Sequence, residues 1–578
     1  MAVWAGCTAW EFSAQQVLRD QAAVSVCATI LNVAVRFLFA LVLCATPGLT
    51  GDWSARFDLT LHRILQGGPP YFDDAFVLAD AIPRNTRRFT NFSGDVSGRY
   101  IGALAAAAHH TGRSFPELDR IVAKTLQFQK PDGHFGAPMS ERQVTNDDMA
   151  MLWGNGRMLI GLLEYYALSP RADVLASARK LGDFLVRQAP RFNSEEVRRE
   201  YNGEKFAVGY ICWTSNLEGL VELFRVTRDS RYLALAREIA TRTDRHPSQH
   251  SHGFLSTVRG IVELYRVTGE RAYLEQAKRE WQGVIDSGNV LLQGAVPEMF
   301  APAVKRDEGC SEADWLRLSL ELWQLTRDPH CLRQAELTLF NEFAFNQFHS
   351  GDFGHHLLAA DGIAPDFAHA WWCCTFHGLR AMAVLFDHAF HESDGALIYD
   401  LPVDGRGVVA GLELRAESSL ERDGTVLLTV LKCDGAPHGL RVRVPEWASE
   451  VKGTLAAARV WKTGETVTLT YVMRSREVKQ AGRTAVFRGP WLLAVDEAGS
   501  ASFFDEPYTE NKVQWPAEPM TAAVEYAAFS VAFSVPSAHL QIRYLPGGYP
   551  VQPGTALLRP MAEYTGGPDS NRLVFWLP

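Results

Sequence analysis

Long apolar runs are scarce in this 578-residue chain. The clearest, Phe37 to Ala45, is about nine residues, against the roughly 20 that a spanning helix needs, so stable membrane insertion is not expected. Positive charge is not in excess either. With 57 Lys and Arg against 66 Asp and Glu, a net charge of −9 and a pI near 6.0, there is no general field for nucleic acid or anionic lipid. Cysteine is sparse and unpatterned, nine in all. Cys7, Cys27 and Cys44 fall in the N-terminal segment, while Cys212, Cys331 and Cys433 stand singly and read as free thiols. An odd set without regular spacing excludes a disulfide framework.

What is present is the composition of an ordinary globular protein, 47% hydrophobic and 21% charged. The length predicts two or three domains. Aromatic residues make up 11%. Flat rings suit sugar faces, although core packing accounts for most such residues in any protein. The first fifty residues read as a targeting segment: Val35-Arg36 precedes the apolar run, and Thr46-Pro-Gly48 follows it with small residues. Residues 1–50 are therefore expected to be a leader, with export to the periplasm or the medium and a cytoplasmic location as the alternative. An anchor through Cys44 is disfavoured by Leu43, where a small residue would be expected.

From about Asp52 to Phe390 the pattern is helical and repetitive. Gly219-Leu-Val-Glu-Leu-Phe-Arg-Val-Thr227 recurs as Gly260-Ile-Val-Glu-Leu-Tyr-Arg-Val-Thr268 and as Leu318-Ser-Leu-Glu-Leu-Trp-Gln-Leu-Thr326. Looser copies begin at Gly161 and Ala103. Second amphipathic stretches follow at Tyr232–Ala240, Tyr273–Trp281 and Cys331–Phe340, so the unit is a helical hairpin. Six such hairpins fill roughly 340 residues, which predicts a closed (α/α)6 toroid over 51–390, its loops gathered at one cleft. After about Glu392 the period changes to strands, among them Val426–Val430, Leu440–Val444, Thr466–Tyr471, Thr484–Phe487, Leu540–Tyr544 and Leu573–Trp576. These predict an antiparallel β-sandwich over 391–480 and a second one, or its continuation, over 481–578.

Within the helical part, Val296-Pro-Glu298, Glu308-Gly-Cys310 and Trp371-Trp372-Cys373-Cys374 bring carboxylates and thiols together. One carboxylate and three cysteines, Glu308, Cys310, Cys373 and Cys374, form a set that tetrahedral Zn²⁺ accepts, because the ion takes S and O donors in any mixture. Cys373 and Cys374 directly precede a helical stretch, Thr375 to Phe386, whose positive end favours thiolate. The rival reading of these four residues is a closed structural zinc site.

The order of motifs, helical repeats followed by Glu298, Glu308-Gly-Cys310, Cys373-Cys374, Arg443-Val-Pro-Glu-Trp-Ala448 and Gly482-Arg-Thr-Ala-Val-Phe-Arg-Gly-Pro490, resembles the family 127 β-L-arabinofuranosidase-like glycoside hydrolases. The resemblance implies a retaining enzyme acting on an oligosaccharide or polysaccharide. It also implies zinc on Glu308, Cys310, Cys373 and Cys374, with Cys373 as nucleophile and Glu298 as acid/base. A thiolate attacking an anomeric carbon gives a thioglycosyl intermediate, and one glutamate protonates the departing oxygen and later activates water. Three positions depart from the family pattern. Trp371 stands where characteristic members have a further cysteine, the spacer between Glu298 and Glu308 is shorter, and Trp153-Gly-Asn-Gly-Arg157 replaces a histidine-containing sugar contact. Trp153, Arg157, His252 and Trp372 are candidate sugar contacts; a structural histidine at position 252 and core tryptophans are the alternatives. Two other functions fit the same architecture: a non-catalytic glycan-binding protein with structural zinc, and a toroid-type polysaccharide lyase.

Overall fold

Four of the five sequence repeats end on a threonine, and a computed structural model shows what that residue does. It describes residues 51–82, 87–202, 208–245, 249–300, 305–453, 457–496, 521–524, 531–532, 555–564 and 572–577. At Thr111, Thr227, Thr268 and Thr326 the hydroxyl donates to the carbonyl four residues back, at 2.6–2.7 Å. The same oxygen accepts the backbone N–H two residues on, at 3.1–3.3 Å. Between them Gly112, Arg228, Gly269 and Arg327 take left-handed φ values of 66°, 59°, 71° and 55°. This ends one helix and turns the chain into the next. Asp229 and Asp328 then cap the following helix by accepting from Arg231 N and His330 N.

Among the described residues this device, with simpler turns, yields twelve helices of nine or more residues. They are α1 (Asp52–Gln66), α2 (Asp95–Thr111), α3 (Pro116–Thr125), α4 (Asn146–Leu168), α5 (Ala172–Phe192), α6 (Leu217–Thr227), α7 (Ser230–Ala240), α8 (Ser251–Thr268), α9 (Arg271–Asp286), α10 (Gly309–Thr326), α11 (Pro329–Leu337) and α12 (Trp372–Leu385). The even-numbered helices form an inner ring: each packs on the next, and α12 packs back on α2. The odd-numbered helices lie outside, each on its hairpin partner, and α1 completes the sixth hairpin by packing on α12. The (α/α)6 toroid is thus closed by joining the two ends of the helical segment. All five sequence repeats fall on inner helices, which are apolar on nearly every side because they are covered on every side; α10 is buried at every residue from Gly309 to Trp323. Close approach needs glycine where α2 meets α4: a Cβ on Gly161 would lie 2.3 Å from the Gly98 carbonyl oxygen.

Strands make up the remainder. Five strands in the order 405–409, 412–419, 425–433, 466–473, 448–452 build one sheet, and a four-stranded sheet runs in the order 459–460, 437–442, 396–399, 390–393. Among the described residues pairing is antiparallel with two exceptions, 396–399 with 437–442 and 521–524 with 555–560. The first exception follows from its connection. After 399 the chain builds three strands of the other sheet before it returns, so it re-enters running in the same direction. A hairpin inside the helical segment, Gly354–Leu358 with Gly362–Ala370, joins the C-terminal strands through Ile363, which pairs with Leu573. No sequence pattern had marked it. Residues Thr50–Pro578 form one compact unit, tied across by Arg56 to Glu421 at 3.3 Å and Ser54 N to Asp404 at 2.6 Å. Among the described residues no helix is long and apolar enough to cross a membrane. The leader reading of residues 1–50 and the strand expected at Leu540–Tyr544 lie outside the described residues.

Candidate active site

Two inner helices start side by side. Glu308 is the N-cap residue of α10, with Cys310 in its first turn; Trp371 is the N-cap of α12, with Trp372, Cys373 and Cys374 in its first turn. Both positive helix ends therefore point at the same carboxylate and thiols, which favours their anionic forms. The residue between Glu308 and Cys310 is glycine because the helices are so close: a Cβ there would lie 2.7 Å from Asn346 Oδ1 and 3.0 Å from Cys374 Cβ. The hairpin missed in the sequence holds both starts. His356 O accepts from Asp307 N at 3.0 Å, while Phe353 O accepts from Trp371 N at 2.8 Å.

The donor atoms of Glu308, Cys310, Cys373 and Cys374 all lie within 4.8 Å of one another. Cys310 Sγ is 3.7 Å and Cys373 Sγ 4.0 Å from Cys374 Sγ. A tetrahedron with Zn–S bonds of about 2.3 Å has edges of about 3.8 Å, so the sulfurs already stand at the spacing zinc requires. Cys310 and Cys374 are completely buried, whereas Cys373 is half-buried. Burial pushes the thiols of Cys310 and Cys374 well up, while hydrogen bonds from both, aided by Arg99, hold Cys373 well below the usual thiol range. The accessible sulfur is thus also the one whose thiol is held low. Glu308 Oε2 accepts from Ser311 Oγ at 2.8 Å and faces His250 Nε2 at 3.2 Å. Although burial opposes its charge, His250 holds the Glu308 carboxyl well below its ordinary range.

Glu298 sits in the same place. Its carbonyl accepts from Ser251 N at 2.9 Å and its N–H donates to Arg306 O at 3.0 Å, pinning the segment between the start of α8 and the start of α10. Its carboxylate receives both Arg306 Nε and, at 2.6 Å, Arg306 Nη2. Glu298, Glu308 and His250 also have ligating atoms within 4.8 Å of one another, so the two glutamates face a shared space.

Behind the sulfurs lies a buried network that the sequence did not reveal. Arg99, from α2, donates to Cys310 Sγ at 3.6 Å, Asp95 Oδ1 at 2.7 Å, His377 Nδ1 at 3.2 Å and His252 Nε2 at 2.9 Å. Each imidazole accepts from Arg99 on one nitrogen and so donates to Asp314 from the other, at 2.7 Å for His252 Nδ1 and 3.0 Å for His377 Nε2. Both rings are therefore neutral, in agreement with burial lowering His252 to about 3 and His377 well below its usual value.

The expected sugar contacts divide. Trp372 is half-buried beside Cys373 and stacked on Trp371, with centroids 4.6 Å apart and 19° between planes. Trp153 is 5% exposed and gives its N–H to Asp95 at 3.0 Å. His252 is completely buried with both nitrogens engaged, and Arg157 is buried under the Trp153 ring at 4.7 Å with Nη2 on Ser256 at 2.8 Å. Those two are wall rather than surface, Arg157 within α4 and His252 even in the first turn of α8, because the neighbouring inner helices cover both. Asn146–Asp148 opens α4, where Thr145 and Asp148 form a capping box. Arg306, two residues before Glu308, was the one missed residue with a local signal, a cation between two acids.

No curated protein matches the chain. Solved structures share its fold at low identity. A GH127 β-L-arabinofuranosidase from Geobacillus stearothermophilus T6 is 17% identical with a TM-score of 0.60, covering 78% of this chain and 86% of its own. A GH127 β-arabinofuranosidase is 16% identical with a TM-score of 0.59, covering 78% and 84%. A further glycoside hydrolase is 15% identical with a TM-score of 0.62, covering 92% and 95%. Residues 71–385, more than half of the 578, match the catalytic domain of the GH127 β-L-arabinofuranosidases, a span that includes the whole thiol and carboxylate centre. The chain belongs to that family and is a glycoside hydrolase.

Proposed function

We propose that this protein is an exported, retaining hydrolase of β-linked L-arabinofuranosides in a glycan, with Cys373 as nucleophile and Glu298 as acid/base. The observation that carries this reading is the asymmetry of the four-donor cluster, in which one sulfur, Cys373, is accessible while its two neighbours are sealed. A purely structural site has no use for that difference. Cys373 Sγ forms a bond to the anomeric carbon as the glycosidic C–O bond breaks, and Glu298 gives its proton to the departing oxygen. Glu298 then takes a proton from water, the water oxygen bonds to the anomeric carbon, and the thiolate leaves. Zinc on Glu308, Cys310, Cys373 and Cys374 supplies, when bound, the positive charge that keeps these thiols deprotonated at neutral pH. Arg306 Nη2 orients the Glu298 carboxyl at 2.6 Å, and in the acid step the bound substrate takes the place of one Arg306 contact. The apolar run Phe37–Ala45 supports export.

The deciding experiment is a screen of nitrophenyl furanosides and pyranosides on protein whose zinc content is measured in the same sample. Hydrolysis of the β-L-arabinofuranoside together with about one zinc per chain is expected. Zinc-free protein that is fully active, or zinc-loaded protein inert on every glycoside, would overturn the reading. A second expectation concerns Glu298→Gln: kcat/KM should fall by about 10²-fold or more on alkyl glycosides, which need a proton delivered, and far less on nitrophenyl ones. Equal losses on both substrates would remove Glu298 from the acid role.

A further inference from the structure

A second cluster of ligating side chains is sealed where three elements meet. Asp307 lies two residues before α10, His356 lies on the hairpin strand Gly354–Leu358, and Glu342 lies on a π-helical turn, Thr338–Phe343, that continues α11. None of the three has exposed surface, and each offers a ligating atom within 4.8 Å of the other two. Single π-helical turns recur at functional sites, and this one carries Glu342. The hydrogen bonds of the cluster do not close. Asp307 is well served: Asn346 Nδ2 donates to its Oδ2 at 3.0 Å, and His356 reaches Oδ2 through Nδ1 at 2.8 Å and Oδ1 through its backbone N–H. By contrast, both carboxylate oxygens of Glu342 and Nε2 of His356 are buried with no hydrogen-bond partner among the described residues. Glu312, in the first turn of α10, spends one oxygen on Val296 N at 3.0 Å, and its other oxygen is likewise without a partner.

Charge does not close either. Glu312 repels both Asp307 and Glu342, and among the described residues the only ion-pair partner of any of these three carboxylates is His356. Elsewhere in the ring a buried carboxylate has a guanidinium, as Glu218 and Glu321 have Arg259 at 3.2 and 2.9 Å. Buried carboxylates are paired with a cation or bind a metal, and no Lys or Arg side chain reaches this group. We propose that Asp307, Glu342 and His356 bind a divalent first-row transition ion, separate from the thiol centre. One imidazole and two carboxylates are a donor set such ions accept, and two carboxylate charges balance one divalent ion; Ca²⁺ takes roughly six to eight oxygens, more than this cluster offers. The ion fastens the hairpin and the π turn to the start of α10, the helix that carries Cys310. Binding here requires neither zinc on the thiols nor glycosidase activity.

The test uses the full chain as wild type, Glu342→Gln and Glu342→Met, produced in medium containing Mn²⁺ and Zn²⁺ and purified without chelator, with all metals counted per chain. Glutamine keeps the shape of the side chain without its charge, and methionine removes the polar group at similar volume. Wild type is expected to hold about one ion more than either variant, whatever the thiols hold. A wild-type count no higher than that of a folded variant would show that these carboxyl groups hold protons rather than a metal, and overturns the site. X-ray absorption on the wild type decides independently of the variants: one ion with nitrogen and oxygen neighbours alone is expected, and sulfur around every bound ion would place all the metal at the thiols and overturn the proposal.

Discussion

Replacing Cys373 by serine is expected to lower kcat by roughly three orders of magnitude or more while leaving the fold and part of the zinc in place. A serine hydroxyl at this half-buried position stays protonated at neutral pH, so the attacking species is lost, yet its oxygen still reaches the fourth corner of the donor set. Cys310→Ser and Cys374→Ser should behave differently. Both sulfurs are completely buried and 3.7 Å apart, and structural zinc ligation contributes folding free energy, so these variants should lose metal and stability together. Zinc-to-protein ratio, urea midpoint and kcat measured on all three variants separate the roles. If Cys373→Ser kept near-normal activity on a confirmed substrate, the nucleophile assignment would fall and the cluster would revert to a structural zinc site.

The largest loss of stability is expected from Asp314→Asn, about 3–5 kcal/mol, the range for breaking a buried charge pair by removing one partner. Asp314 has no exposed surface and accepts from His252 at 2.7 Å and His377 at 3.0 Å, with Arg259 and Arg317 at 3.5 and 3.6 Å. Burial disfavours its charge, but the two imidazoles outweigh burial and hold its carboxyl well below the usual range. Arg317 is already strained toward its neutral form, pushed down to about 9 by burial and by Arg259 and Arg380. Without the carboxylate these guanidinium groups lose a counter-charge that water cannot replace. The amide also puts an NH2 group where one of the two carboxylate oxygens now accepts a ring N–H, so His252 or His377 must turn and Arg99 loses part of its support beside Cys310. A denaturant midpoint within about 1 kcal/mol of wild type would show that packing rather than charge holds this network.

How far the chain could be read from its residues depends on the distance over which each feature is decided. The hairpin unit was legible because its causes are local: apolar period, capping aspartates and the terminal threonine whose hydroxyl reaches four residues back and two residues on. The donor set was legible because Glu308 with Cys310 and Cys373 with Cys374 lie within one helical turn, so spacing alone places each pair at a helix start. The strands after 390 were legible where alternation was long. The hairpin 354–370 was not, since it is stabilised by pairing with Leu573 and Val574, some two hundred residues on. Ring closure decided everything else. Arg99 and Cys310 are 211 positions apart and meet only because α12 packs back on α2 and brings α10 with it. The same closure drew His252 and Arg157 into the wall, where residue type alone had suggested the cleft. Ligand chemistry is thus written in single turns of helix, whereas the electrostatic setting of those ligands depends on contacts between helices, whose side-chain partners no local period specifies.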